Sequence, residues 1–442
     1  MRRLVLAGSG SGVGKTSIAA GLMLRMGRKV QPFKVGPDFI DPMFHAMAAG
    51  RPSRNLDSFM MEPEVMREHF RWACGDADLA LIEGVRGLYD GLTSTEDTGS
   101  TAEIAKMLDA PVVLVINARS LAKSAAAVAL GFKQLDPGVR VAGVILNNVS
   151  GERHRRKATE AVEQLAKLPV LGAVERGRSL PERHLGLVTV EEQGDLERTK
   201  DDLKALVEDV DLEMLLEISE TAPDMDVRQE PVFPSGRSGV KVAVPRDRSF
   251  CFYYQENLES LERAGADLRF FRPTDGDGLP EADLYYLGGG YPEEHLDALS
   301  SNRDFLDGLR AAASDGKAIY AECGGLMALC AHIDAGKRGD MAGVFPCSAV
   351  LTSRRQGLSY VRAVGTADNP FFPGSPVRGH EFHYSHLTPL PHGPFGYAVE
   401  RGTGIDGHHD GLMFRRTLGS YMHQHALSRL DWGKRLLEAA ER

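Results

Sequence analysis

Hydrophobic positions in the first half of the chain come in short unbroken runs. "RLVLAG", "VQPFKVG", "LALIEGV", "PVVLVIN", "VAGVILNNV" and "PVLGAV" are apolar over most of their length, the pattern of strands buried on both faces. Between them the period lengthens. "TSIAAGLMLRMG", "PEVMREHFRWACG", "TAEIAKMLD" and "RSLAKSAAAVALGFKQL" read as helices. Strand and helix in alternation predict a parallel sheet covered on both sides, the doubly wound α/β class. Residues 196–237 break this rhythm. "LERTKDDLKALVEDVDLEMLLEISE" is charged and helical, and "TAPDMDVRQEPVFPSGRSG" gathers Pro, Gly and charge without a period, so the stretch is expected to link two domains. "VKVAVPRD" restarts a buried strand, and "YYQENLESLERAG", "DLRFFRP", "DLYYLGGG", "RDFLDGLRAAASDG" and "KAIYAECGG" repeat the beat. Two α/β domains are expected, 1–195 and 238–442, joined by 196–237.

Composition narrows the function classes. With 442 residues, 43% of them apolar, each domain has enough core to fold without staples. The net charge of −9 disfavours duplex nucleic acid or an anionic membrane as the main partner, and no apolar run suffices to span a bilayer. "MRRLVLAGSGSG" has the arginines of a weak signal peptide, but the Gly-Ser run that follows makes it a buried first strand. The five cysteines, at positions 74, 251, 323, 330 and 347, are odd in number and widely spaced, which fits no disulfide framework and suits a reducing cytoplasm.

The first chemical signal is "LVLAGSGSGVGKTSIAAGL". A phosphate-binding loop needs Gly, four residues, then Gly-Lys-Ser/Thr. Here Ser9 stands where the first Gly belongs, and Gly8 lies one residue further out. The physics still fits: Gly12 and Gly14 let the turn aim backbone N–H groups at phosphate oxygens, and a helix follows through Thr16 and Ser17. Lys15 is expected on the outer phosphates of ATP and the Thr16 hydroxyl on Mg²⁺. Three further strand ends carry polar groups. "FKVGPDFIDPMFH" places Asp38 and Asp41 in a turn, "LALIEGVRGLYDG" ends on Glu83 and runs to Asp90, and "VAGVILNNVSGERH" ends at Asn147. Ligands of open α/β sheets gather at these carboxyl ends. Glu83 and Asp38 are expected as further holds on Mg²⁺, Asp41 and Asp90 beside the substrate, and Asn147 at the adenine edge. A turn or helix-cap role is the alternative for each.

In the second half the strand "AIYAE" runs into Cys323, then Gly324-Gly325, then the helical "LMALCAHI". That layout puts a nucleophile on a tight turn, with a helix N-terminus expected to lower the thiol pKa. Gly289 and Gly290 in "YLGGGYPE" offer backbone N–H groups for a developing oxyanion. His423 or His425 in "YMHQHAL" would serve as base. The alternative is a buried structural cysteine.

The lengthened loop "AGSGSGVGKT" resembles that of dethiobiotin synthase-like proteins. Septum-placement and partition ATPases carry a second lysine five residues before the first, where this chain has Gly10. "YLGGGYPE", "YAECGGLM", "GHEFHYS" and the late histidine resemble the class I glutamine amidotransferase domain of cobyrinic acid a,c-diamide synthases. "KVGPDFIDPMFH", "EGVRGLYDG" and "RHLGLV" resemble the synthetase half of the same family. The resemblance spans essentially the whole chain and implies an ATP-dependent, glutamine-hydrolysing amidation of a tetrapyrrole polycarboxylate. Ni-sirohydrochlorin a,c-diamide synthases share all these motifs, and a homodimer is left open. Ordinary class I amidotransferases set a Glu two residues after the catalytic His. Here that residue is His425, so the third member of the triad is unassigned and a weakened base is expected.

"RGHEFHYSHL" carries His380, His383 and His386. Its His-Glu-x-His spacing is not that of a zinc-protease helix, and its aromatic content predicts a strand, with His380 and Phe382 on one side and Glu381 and His383 on the other. The resemblance implies that His380 and His383 face the tetrapyrrole near the cleft between domains. A nucleotide switch without chemistry and a metal carrier are the competing classes. Cys323 and Gly10 weigh against the former, and the metal carrier would rest on the histidines alone.

Overall fold

The apolar runs of the first half become the strands of one parallel sheet. The computed structural model describes residues 1–177, 182–183, 186–187, 189–192 and 194–442. These fall into two compact units, Met1–Val232 and Phe233–Arg442. In the first, β1 (Arg3–Gly8) leads into α1 (Lys15–Arg25), β2 (Val30–Val35) into α2 (Ile40–Ala49), and β3 (Arg54–Leu56) into α3 (Pro63–Ala73). β4 (Leu79–Glu83), α4 (Thr101–Met107), β5 (Val112–Asn117), α5 (Lys123–Leu135), β6 (Val141–Val149), α6 (Gly151–Ala161) and β7 (Val170–Glu175) follow. The sheet order is β3-β2-β4-β1-β5-β6-β7, with every pairing parallel. Its middle strands are buried along their length, as their unbroken apolar runs require.

Beyond β7, β8 (Glu182–Arg183) and β9 (Gly186–Leu187) make a short antiparallel pair. His184, Leu185 and Val188 of "RHLGLV" lie outside the described residues. Then α7 (Leu196–Leu206) and α8 (Leu212–Glu220) form, each started by an aspartate whose side chain accepts a backbone N–H. Leu206, Val207, Val210, Leu215 and Ile218 join Leu4, Leu6, Ile18 and Val113 in one buried cluster. A Cβ on Gly21 would lie 2.4 Å from the Leu203 carbonyl, so α1 and α7 touch backbone to backbone. The charged faces of these helices meet water while their apolar faces complete the first core.

The second unit opens with β10 (Lys241–Pro245), α9 (Gln255–Arg263), β11 (Asp267–Phe271), β12 (Leu284–Leu287), α10 (Leu296–Ser301), α11 (Arg303–Ser314), β13 (Ala318–Glu322) and α12 (Gly324–Leu329). After α12 the strand pairings become mostly antiparallel. β14 (Cys330–Asp334), β15 (Arg338–Asp340), β16 (Phe345–Leu351) and the later β19 (Ser385–Thr388) make a separate small sheet. β17 (Gly357–Gly365), β18 (Pro376–His383), β20 (Phe395–Arg401), β21 (His409–Phe414), β22 (Thr417–Ser420) and β23 (His423–Gln424) extend the main one, and α13 (Trp432–Glu441) closes the chain. The main sheet runs β11-β10-β12-β13-β22-β21-β20-β17-β18-β23, parallel from β11 to β22 and antiparallel beyond. β13 is thus a buried central strand, and it delivers Cys323 at its carboxyl end. Among the described residues no helix is long and apolar enough to cross a membrane.

Candidate functional site

The turn between β1 and α1 is built on left-handed glycines, Gly12 at φ 68° and Gly14 at φ 91°, a region closed to most side chains. Gly14 is also crowded: a Cβ there would sit 2.3 Å from Asn147 Nδ2. Asn147 Nδ2 donates to the Val13 carbonyl at 2.8 Å, and its Oδ1 accepts from Asn148 N at 2.8 Å. Expected at the adenine edge, this amide is instead engaged in holding the loop. Lys15 crosses the turn and donates to the carbonyls of Arg86 at 2.8 Å and Gly10 at 3.3 Å. Burial, helped by the nearby Lys34 charge, pushes its pKa down to about 8. Asp90 Oδ2 accepts from Gly87 N at 3.0 Å, fixing the turn whose Arg86 carbonyl holds Lys15. Ser17 is buried in the first turn of α1.

Glu83 is the hub beneath the loop. It ends β4 and is fully buried, a position a lone carboxylate occupies only at a cost of several kcal/mol. Three donors meet it: Thr16 Oγ1 at 2.9 Å, Lys34 Nζ at 2.8 Å and His45 Nε2 at 2.6 Å. Parallel register sets Lys34 directly beside Glu83, and His45 comes from α2. Burial would raise the Glu83 pKa, but Lys34 and His45 overturn that and hold it well below the usual range. Burial would likewise discharge Lys34, yet Asp41, Glu83 and Asp38 together raise its pKa; Asp41 Oδ2 lies 2.5 Å from its ammonium. Asp41 stands not in a turn but in the first turn of α2, where Pro42 is tolerated. Asp38 Oδ1 accepts from Ile40 N at 2.7 Å and Asp41 N at 3.3 Å, and burial with the Asp41 charge lifts its pKa to about 7.

The oxygens of Thr16 and Glu83 at the end of the phosphate loop are the hard donors magnesium takes, so they fit that ion. Asp38 fits it less well, its Oδ1 being taken by the backbone N–H groups that open α2. Lys34 and His45 were not singled out from sequence. The available signal was a lysine near the end of a largely apolar strand.

In the second unit, Cys323 sits between β13 and α12 at φ 47° and ψ −98°, a strained backbone that a β-bearing residue adopts only under constraint. Its N–H donates to the Ser420 carbonyl at 2.7 Å. A Cβ on the following Gly324 would lie 3.1 Å from Gly290 N, and one on Gly289 would lie 2.5 Å from His423 Cε1. The elbow, the Gly289-Gly290 turn and His423 are therefore packed against one another. The Gly288 N–H is taken by Tyr253 Oη at 2.9 Å. One expectation fails. Burial pushes the Cys323 thiol well up, with Glu293 adding to it, and the Gly324 N–H pulls down without offsetting them. A six-residue helix does not outweigh a buried site.

The two late histidines separate cleanly. His423 Nδ1 lies 3.5 Å from Glu322 Oε2. His425 is fully buried, its Nε2 lies 3.4 Å from Glu256 Oε2, and its Nδ1 accepts from Leu427 N at 3.1 Å. His380 stacks on His423 with centroids 5.0 Å apart, and its Nδ1 lies 3.2 Å from the Tyr254 hydroxyl. Burial, with the nearby His423 and His425, pushes its pKa well down. His383, expected at the acceptor, is committed elsewhere: Nδ1 bonds the Ser385 carbonyl at 2.8 Å and the ring stacks on Tyr421 at 3.7 Å. It shares a side of β18 with Glu381, 3.8 Å away, while Phe382 is exposed.

Comparison with known proteins draws these parts together. Residues 4–187 match the family described as CobQ/CobB/MinD/ParA nucleotide binding domain, and residues 241–430 the CobB/CobQ-like glutamine amidotransferase domain. A protein of Methanosphaera stadtmanae named cobyrinate a,c-diamide synthase is 45% identical, covering 100% of this chain and 99% of its own. Proteins of the same name from Methanothermobacter thermautotrophicus and Archaeoglobus fulgidus are 46% and 43% identical, over 96% and 99% of this chain and 96% and 97% of theirs. With a phosphate loop that uses ATP in one unit and a thiol elbow in the other, the chain belongs to the cobyrinate a,c-diamide synthase family and is a glutamine-dependent carbon–nitrogen ligase.

Proposed function

We propose that this ligase converts the a and c side-chain carboxylates of cobyrinate, a tetrapyrrole polycarboxylate, into amides, one ATP and one glutamine being consumed for each. An oxide is too poor a leaving group for ammonia to displace. Transfer of the ATP γ-phosphoryl group to a substrate carboxylate oxygen yields ADP and an acyl phosphate; ammonia then attacks the carbonyl carbon and expels phosphate. Lys15 and the backbone N–H groups of the loop bear the charge that spreads over the transferring oxygens. Thr16 and Glu83 are the residues that would hold magnesium, which when bound would add positive charge at the phosphates. Asp41 and Asp90 fix Lys34 and the Lys15-holding turn, and so act through those lysines.

Ammonia arises in the other unit. His423 takes the Cys323 proton, the thiolate attacks the glutamine side-chain carbonyl, and the Gly290 N–H receives the oxyanion. The proton returns to the leaving nitrogen, and water cleaves the thioester to glutamate. The observation that carries the reading is the pairing, on one chain, of Lys15 and Thr16 over Glu83 with a Cys323 elbow whose Gly324 packs on Gly290 and whose neighbouring turn packs, at Gly289, on His423. A biosynthetic role of this kind fits the cytoplasm.

Mass spectrometry of the products tests it. With glutamine and MgATP, cobyrinate is expected to gain two amide groups, and Ni-sirohydrochlorin offered in parallel to remain unchanged. Amidation of the nickel compound alone transfers the chain to that branch, and no mass change with either abandons the tetrapyrrole. Cys323→Ala should lose the glutamine-driven product and keep the ammonium-driven one; Lys15→Ala should lose both.

A further inference from the structure

We infer that Glu322 is the positioning residue of the glutaminase half, replacing from a different strand the carboxylate that follows the base in ordinary class I amidotransferases. The inference rests on Cys323 and His423 being the nucleophile and base. The usual position is filled by His425, which is tied to Glu256. Glu322 comes instead from β13, one residue before the nucleophile. Its Oε1 accepts from the backbone N of Gln424 at 3.1 Å and from Tyr320 Oη at 3.2 Å, and Tyr286 Oη lies 3.5 Å from Oε2. The Gln424 bond locks the carboxylate to the residue adjoining the base. Its ion-pair partner is His423, at 3.5 Å.

That separation is long for a hydrogen bond and suits a pair that tightens when the imidazole becomes charged. Glu322 is 1% exposed, and a carboxylate this buried is stable beside a positive partner. Imidazolium at His423, formed when Cys323 gives up its proton, is that partner. With Nδ1 facing Glu322, the Cε1 and Nε2 edge of the ring faces Gly289 and the oxyanion turn. Glu322 therefore favours the tautomer with the proton on Nδ1, in which the Nε2 lone pair can receive the thiol proton, and stabilises the cation that results. The other titratable groups around the base are His380, stacked on its ring, Cys323 itself, and the Glu256–His425 pair reached through Tyr254.

Glu322→Gln in the full chain is expected to lower kcat for glutamine hydrolysis about 100-fold or more, with KM changed by less than about threefold. The pH at which Cys323 becomes reactive to iodoacetamide should rise. Glu322→Asp should recover a substantial part of kcat, and ammonium-driven amidation, which does not use the thiol, reports that the variants are folded. A Glu322→Gln rate within about threefold of the parent, with an unchanged alkylation profile, overturns the inference. Cys323→Ala distinguishes the two failures: if it too retains glutamine-driven amidation, the thiol reading itself is wrong. Should Glu322→Gln fail to fold, ¹⁵N-histidine spectra of the unaltered chain decide, with His423→Gln identifying the resonance. A proton on Nδ1 supports the assignment, and a proton on Nε2 refutes it.

Discussion

Lys15 has to be both buried and charged. The turn that shapes the phosphate cradle also strips water from the ammonium, and Lys34 stands near enough to repel it; together they bring the pKa to about 8. Bound phosphates reverse the balance, because an anion at the ammonium favours its charged form. The sign follows. Above pH 8 the free lysine is mostly neutral and the nucleotide-bound one protonated, so binding there takes up a proton and weakens as pH rises. Below pH 7 both forms are protonated and the lysine contributes no uptake. Calorimetry of ATP binding at pH 8.5 in buffers of different ionisation enthalpy should show net proton uptake that disappears in Lys15→Met. Uptake that persists in the variant assigns the effect to another group, such as Asp38, whose pKa is lifted to about 7.

Between elements, the glycines show where two backbones must pass. A Cβ on Gly290 would lie 2.1 Å from the Ser249 carbonyl oxygen, and backbone there has no rotamer to change. Gly290→Ala should therefore cost the second unit on the order of 3 kcal/mol and lower its unfolding temperature by roughly 6–10 °C. It should abolish glutamine hydrolysis while sparing ammonium-driven amidation; differential scanning calorimetry with both assays checks this. The "GGG" turn and the Cys323 elbow were legible because each is written in consecutive residues. Strands β1, β4 and β5 were legible because each is an unbroken apolar run between its end residues, as burial on both sides requires. The helix α2 was not, since "GPDFIDP" carries every mark of a turn and its proline falls where a helix accepts one. The Glu322–His423 contact was not legible either. It joins β13 to β23 across about a hundred residues, and only the return of the chain through the antiparallel strands brings them together.

For the whole molecule, the proposed reaction is divided between the two units. On that reading the first makes an activated acid and the second makes ammonia, which in water becomes ammonium and loses its nucleophilic lone pair. On the same reading, glutamine-driven amidation is efficient only if the nitrogen reaches the acyl phosphate before bulk solvent protonates it. That condition has an isotopic consequence. With glutamine labelled by ¹⁵N in its side-chain amide and a large excess of unlabelled ammonium present at neutral pH, the product amides should carry ¹⁵N in nearly every molecule. Dilution of the label beyond the share of product that Cys323→Ala forms from bulk ammonium in the same mixture would mean that the nitrogen is released to solvent first, and the coupling would be kinetic coincidence. Cys323→Ala in the same mixture should give only unlabelled product, at a rate that climbs with pH as the free base accumulates, whereas the parent's rate with glutamine should not follow that climb. The two pH responses must diverge if the nitrogen never meets bulk water, because then its protonation is governed by the protein's interior and not by the buffer.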